Sequence, residues 1–224
     1  MKRYNRLLLN SPLFSSLKEG ELDHILGCLG AKDRKFSSNQ MIIREAEQVD
    51  HVGVVLSGRV QIISDDALGN RSINFKLGPG ELFGHVAATK MATVSPVSVM
   101  SEESSHILFL NFHNLVAPCG KACHFHSQVI ENMMNVLAER NLMMNRKLSI
   151  LSKRSIREKL LAYLAWQSHD TQSKEFTIPF NRDELADYLS VNRSALSREL
   201  SKMISEGYFS NERSYFRLNG KALA

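Results

Sequence analysis

Asn181–Tyr208 reads NRDELADYLSVNRSALSRELSKMISEGY, and its punctuation decides the fold of the C-terminal third. Asn181 is a helix-capping residue type, and Glu184 completes a capping-box-like pair. Leu185, Ala186 and Leu189 give the helix that follows an apolar side, with Ala186 small enough to let a second helix cross. Ser190-Val191-Asn192 makes a tight turn, and Asn192 suits the cap of that second helix. The spacing predicts a helix from Arg193 to about Glu206 that buries Leu196, Leu200, Met203 and Ile204, with Gly207 as its C′ residue. Two helices joined this way follow the helix-turn-helix plan, in which the second helix enters the major groove by its N-terminal residues. The residues left outside in its first turns are Arg193, Ser194, Ser197 and Arg198. Arginine carries the fork that matches guanine O6 and N7, and serine donates or accepts at a base edge or phosphate. Next, Tyr208–Leu218 (YFSNERSYFRL) reads as a two-strand hairpin turning near Glu212-Arg213-Ser214, a wing that sets Arg213 and Arg217 near the DNA backbone.

Upstream, the chain breaks near Ser152–Ser155, and a helix is expected from Ile156 to about Trp166. Before the break, about Gln128 to Ser152 is one long helical run with two complete ladders of alternating four- and three-residue steps. The first is Val129, Met133, Val136, Arg140, Met143, Lys147 and Ile150; the second is Ile130, Met134, Leu137, Asn141, Met144, Leu148 and Leu151. One apolar stripe docks a helix on its own domain, so two point to a second partner, most simply the same helix of another subunit. The dimer seam is expected on Val129, Met133, Val136, Met143 and Ile150. Arg140, Asn141 and Lys147 argue against the alternative, a helix buried all round. From Lys35 to Asn111, short β-branched runs alternate with turn signals: Met41–Arg44, Val52–Leu56, Val60–Ser64, Ser72–Lys76, Thr93–Met100 and Ser105–Leu110. This rhythm predicts an antiparallel sandwich or barrel. Residues 11–30 read as one helix behind a Ser11-Pro12 start.

The 224 residues, 43% of them hydrophobic, suffice for one large domain or two small ones. The apolar runs are too short for a membrane span, the N-terminus does not read as a signal peptide, and three cysteines fit a reducing cytoplasm. Net charge is +5; residues 1–152 carry +2 of it and residues 153–224 carry +3. The smaller piece holds the larger excess, which suits a nucleic-acid partner.

With these segments in place the chain resembles the Crp/Fnr family of bacterial transcription regulators over almost its whole length. SPLFSSL, VVLSGRVQI, GPGELFGHVA, the long helix, IREKLLAYL and VNRSALSREL occur in the family's order. The resemblance implies an α+β protein. Its parts are an N-terminal antiparallel β-roll of the jelly-roll-like, double-stranded β-helix kind (1–127), a dimerisation helix (128–152) and a C-terminal winged helix-turn-helix (153–224). It implies a homodimer on double-stranded DNA that works with RNA polymerase. By position, Arg193, Ser194, Ser197 and Arg198 match the family's base-reading residues. Ser194 departs from the glutamate usual there, so the half-site sequence cannot be copied from either well-studied branch. Asn181, Arg182, Asn192, Lys202, Arg213 and Arg217 are expected on the DNA backbone.

The resemblance places an effector pocket around Gly80, Glu81, Leu82, Phe83, Gly84, His85 and Ser95, with Asn141 facing it from the long helix or else setting register in the helix seam. Members that bind cyclic AMP supply a glutamate after the Phe-Gly pair and an arginine before the last strand. Here those places hold His85 and Ser95-Pro96, and no arginine occurs between Arg71 and Arg140. A buried phosphate without a paired charge is costly, so an effector other than cyclic AMP is expected, and no cofactor or metal. Gly78, Gly80 and Gly84 are expected to keep the turn geometry of the cassette. Cys119, Cys123, His124 and His126 offer a redox or metal alternative; the plainer reading is small buried groups at the root of the helix. His85, His106 and His113 raise a cupin-like metalloenzyme, but without clustered ligand spacing or a nucleophile–base pair. The expectation is a cytoplasmic, non-enzymatic regulator.

Overall fold

Each of the two compact units of the chain is built around its own core. The computed structural model describes residues 2–65, 71–85, 88, 94–117 and 124–222. The first unit comprises Met1–Gly69 and Asn74–Arg140; the second comprises Asn70–Ile73 and Asn141–Ala224. The division between the two units falls within the long helix, between Arg140 and Asn141.

The first unit opens with a 3₁₀ turn (Lys2–Tyr4), α1 (Asn5–Leu9) and α2 (Glu19–Cys28). The single helix expected over 11–30 is replaced by a turn and a shorter helix. Ser11 does not cap: its hydroxyl donates to the Leu8 carbonyl, closing α1, and α2 starts where Glu21 accepts the Lys18 N–H at 2.7 Å. Strands β1 (Lys32–Phe36), β2 (Met41–Ile43), β3 (His51–Ser57), β4 (Val60–Asp65), β5 (Arg71–Leu77), β6 (Leu82–Phe83), β7 (Ser98–Ser101) and β8 (Ser105–Asn111) follow. They form two four-stranded sheets, ordered β1-β8-β3-β6 and β2-β7-β4-β5. The described pairings are antiparallel, so the all-antiparallel reading holds for them. Strand β1 was not expected because its charged residues 32–35 are exposed; backbone pairing to β8, not an apolar pattern, makes it a strand.

Alternation along β3 shows why the sheet is doubly covered. Val55 joins Phe36, Val60, Phe83, Val99 and Ile107 between the sheets, while Val52, Val54 and Leu56 join the helices on the other side. Gly53 is needed where the Phe83 ring lies: a Cβ there would stand 2.2 Å from its tip.

After α3 (Phe112–Val116) comes α4, His124–Leu151. Val129, Met133 and Val136 pack with α1, α2 and β3 in the core of the first unit, and Ile150 is also buried. The residues expected in the seam, Val129, Met133, Val136, Met143 and Ile150, therefore do not form an exposed face. That ladder faces its own chain, with Met143 half-buried, and the exposed apolar row is Met134, Leu137, Met144 and Leu148. The two stripes have the same spacing, and only docking decides which faces inward. Lys147, expected to oppose burial, is buried. Its ammonium donates to the Ile73 carbonyl and lies 4.7 Å over the Tyr188 ring, and burial pushes its pKa down to about 8.

The second unit continues with α5 (Ile156–Asp170), β9 (Glu175–Thr177), α6 (Arg182–Leu189), α7 (Arg193–Ser205), β10 (Phe209–Glu212), β11 (Tyr215–Leu218) and a final 3₁₀ turn (Gly220–Ala222). Ser155 and Glu158 form the capping box that starts α5. The hairpin β10–β11 gains a third strand, β9, in the order β10-β11-β9. Tyr163, Phe180 and Tyr188 cluster beneath α6. No described helix is long and apolar enough to cross a membrane.

Candidate nucleic-acid interface and sensor cassette

The caps that the sequence marks are formed. Asn181 Oδ1 accepts the Glu184 N–H at 3.0 Å, and Glu184 accepts the Asn181 N–H at 2.7 Å. At the turn, Ser190 takes a left-handed conformation (φ 52°), and Asn192 Oδ1 accepts the N–H groups of Ser194 at 3.0 Å and Ala195 at 3.2 Å. These bonds satisfy donors that a helix start leaves orphaned. Leu196, Leu200 and Met203 bury one side of α7; Ile204 does not join them and is exposed, because the buried ridge passes through Leu200 and Met203 instead.

Opposite that ridge, Arg193, Ser194 and Arg198 are exposed and Ser197 is half-buried, so the structure brings the four expected base-reading residues onto the first turns of one helix. They are not equivalent. Arg193 pairs with Asp183 of α6 at 2.6 Å, whereas Arg198 has no ion pair among the described residues. Asp183 is a partner that the sequence reading missed. Arg213 sits exposed at the wing tip with φ 52°, and Ser214 anchors the turn by donating to the Phe180 carbonyl at 2.8 Å. Arg217 is drawn back along the sheet to Glu175 at 2.8 Å, and the Tyr215 hydroxyl also donates to Glu175. That hydroxyl, then Arg217, holds the Glu175 carboxyl below its ordinary pKa. Lys202 is exposed on α7; Arg182 is half-buried, and desolvation lowers its pKa. Asn181 and Asn192 have their side-chain oxygens engaged in capping.

The cassette has a different construction. Gly80 and Gly84 have φ near +89° and +82°, a region that favours glycine, whereas Gly78 is not among the positive-φ residues and instead donates its N–H to Glu81 at 2.8 Å. Leu82 and Phe83 are core side chains of β6. Glu81 is the partner of Arg140, which reaches it from α4 at 3.1 Å and lies 5.1 Å from the Phe75 ring centre. The arginine missing from the cassette's own stretch thus arrives from 59 residues downstream. His85 is buried, its Nδ1 has no hydrogen-bond partner among the described residues, and burial, then the nearby Arg140 charge, pushes its pKa down to about 4. Ser95 turns its hydroxyl to the Val97 carbonyl at 2.7 Å and so does not stand in for the missing arginine. Asn141 is exposed on α4 and its side-chain oxygen accepts from Asn145 at 2.8 Å.

The remaining candidates that lie among the described residues do not converge. His106 is held between Tyr4 at 3.0 Å and Asp33 at 2.6 Å. His126 is buried and donates Nε2–H to the Leu115 carbonyl at 3.2 Å, while His124 is exposed. Cys119 and Cys123 lie outside the described residues. Among the described residues, no group of three His, Cys, Asp or Glu side chains is placed to hold a metal.

Comparison with known proteins agrees with this geometry. Residues 33–117 match the cyclic nucleotide-binding domain model, and residues 158–224 match the Crp-like helix-turn-helix domain model. The chain is 22% identical over 209 residues to an anaerobic regulatory protein of Pasteurella multocida, covering 91% of this chain and 74% of that one. It is 23% identical over 209 residues to the regulatory protein HlyX of Actinobacillus pleuropneumoniae, covering 91% and 84%. Among solved structures, the c-di-GMP responsive global regulator CLP of Xanthomonas campestris superimposes with a TM-score of 0.73 at 17% identity, covering 91% of this chain and 100% of that one. FixK2 of Bradyrhizobium japonicum gives 0.65 at 18%, covering 85% and 93%.

Proposed function

The chain belongs to the Crp/Fnr family of DNA-binding transcription regulators, and from that premise we propose that it reads a near-palindromic operator as a homodimer under the control of an effector other than cyclic AMP. Its relatives are regulatory proteins, and it is a regulator rather than an enzyme. The observation that carries the reading is the outward row of α7, with Arg198 in no ion pair among the described residues, set over a buried ridge between an asparagine cap and a wing. Arg198 and Ser197 read base edges; Arg193 joins them by exchanging Asp183 for DNA. Asn181, Arg182, Asn192, Lys202 and Arg213 hold the backbone, and Arg217 does so where it leaves Glu175. Acting in the cytoplasm, the bound dimer recruits or blocks RNA polymerase according to where its operator lies.

The effector argument rests on charge. A nucleotide phosphate entering the cassette would have to displace Glu81 from Arg140, because a buried anion needs a paired cation. One structural neighbour is named as responsive to c-di-GMP, which makes the effector class an experimental variable here. An effector acts by favouring one of two arrangements of the regulator through differential affinity.

Selection of bound sequences from a random DNA pool, with and without a small-molecule fraction of cell extract, tests the reading. Two-fold-related half-sites about one helical turn apart are expected. A pool with no enrichment refutes it, and saturable binding of cyclic AMP refutes the charge argument. Leu148→Glu, placed in the exposed row of α4, is expected to convert the dimer to monomer in sedimentation. The loss is at least about 2 kcal/mol of association energy, because a symmetric seam carries the charge twice.

A further inference from the structure

The second unit contains an ion cluster set apart from the reading face. Arg157 occupies the first turn of α5, an unfavourable place for a cation on dipole grounds. Its guanidinium crosses to α7 instead. Nε lies 2.6 Å from Glu199, and Nη1 and Nη2 lie 2.8 and 3.1 Å from the two carboxylate oxygens of Glu206. The Tyr208 ring centre is 5.6 Å away. Glu206 and Glu199 both raise the arginine's pKa by hydrogen bonding, so the cation is fixed. All three side chains are partly buried, which screens them less than a surface pair.

Glu199 directly follows Arg198 in the chain, and Glu206 lies seven residues beyond it, about 10 Å along a helix at 1.5 Å per residue. Two arms at that separation resist both rotation of α7 about its axis and sliding along it. The apolar ridge of Leu196, Leu200 and Met203 sets which face of α7 is buried, but burial of apolar surface is itself non-directional. A forked arginine–carboxylate contact is directional. We propose that Arg157 is a positioning residue for DNA reading: its arms to Glu199 and Glu206 set the rotation of α7 and with it the direction in which Arg198 meets the bases. Arg157 itself touches no DNA in this scheme. The inference rests on the operator-reading function proposed above and adds to it a residue outside the interface. It also joins the reading helix to α5, the first helix after the break at 152–155.

The test compares the full-length wild type, Arg157→Lys and Glu206→Gln by selection from a random pool, by the ratio of specific to non-specific affinity, and by thermal unfolding. Lysine keeps the charge and loses the fork. The affinity ratio is expected to fall about tenfold in Arg157→Lys, the scale of one lost base-pair discrimination. Preference flattens most at the position read by Arg198, and that position is identified independently by Arg198→Ala. The melting temperature stays near that of the wild type. A merely structural role would lower the melting temperature and the active fraction but leave the base preference of the folded fraction intact. An unchanged preference and ratio overturn the proposal, whatever the melting temperature does. If Arg157→Lys does not fold, Glu206→Gln, which removes one arm and keeps the arginine, decides by the same readouts. A wild type that enriches no sequence overturns operator reading itself, and this inference with it.

Discussion

The recognition helix and the sensor cassette are assembled in opposite ways. The reading face is local: Asn181, Asp183, Asn192, Arg193 and Arg198 lie within 18 consecutive residues, and their bonds span from two to ten positions. The cassette is made of parts far apart. Glu81 takes a near neighbour, Gly78, on one oxygen and Arg140, 59 positions away, on the other. The reader keeps its arginines exposed, Arg193 at 66% even while paired with Asp183, whereas the cassette's Arg140, at 14%, is held on Glu81 out of solvent. Local assembly suits a surface that must keep one shape against DNA. The cassette instead depends on a contact between a long helix and a loop 59 positions away.

Several measurements would break or sharpen that contrast. The largest effect belongs to the sensor core. Phe83→Ala removes a fully buried ring beside Gly53 and is expected to cost about 3–5 kcal/mol in denaturant unfolding. A cost under about 1 kcal/mol would mean that β6 does not join the sheets as described.

Next comes the cassette histidine. The folded pKa of His85, about 4, lies below that of an unfolded histidine, near 6.5. Between those values the unfolded chain binds more protons, so stability rises with pH through the window and is lost on acidification from about 6.5 to 4. The expected loss from this residue is on the order of 3 kcal/mol. The slope of stability against pH should flatten in His85→Gln; equal slopes in both proteins would show that His85 is protonated or exposed.

On the reader, Arg198→Ala should weaken specific binding by roughly 1–3 kcal/mol and relax one base position. A uniform loss across all sequences would instead assign Arg198 to the backbone. The smallest change is Asn192→Ala, which removes the acceptor for two helix-start N–H groups and should cost about 1 kcal/mol of stability without altering base preference. If preference shifts, the cap is also a reading residue.

How much of the molecule was legible follows the same division. The caps at Asn181 and Asn192, the turn at Ser190–Asn192 and the wing tip at Arg213 could be placed from sequence because each depends on residues within a few positions. Ile204 was misplaced for a tertiary reason: it fits the helical repeat as well as Met203 does, and only the packing partner chooses between them. Strand β1 escaped notice because a charged edge strand has no apolar alternation to display. Arg140 was seen as a polar interruption in a ladder, since nothing near it in the sequence announces Glu81.

The two ladders of α4 mark the boundary most clearly. The spacing of apolar residues determined that this helix has two faces to cover, and the order of caps, turn and wing determined that the chain ends in a DNA reader. Tertiary structure alone decided that Val129, Met133 and Val136 turn inward while Met134, Leu137, Met144 and Leu148 stay outside, and that Arg140 enters the cassette. Hydrophobic periodicity specifies a stripe but not its partner, because apolar burial is non-directional. A hydrogen-bonded cap names its partner by distance along the chain.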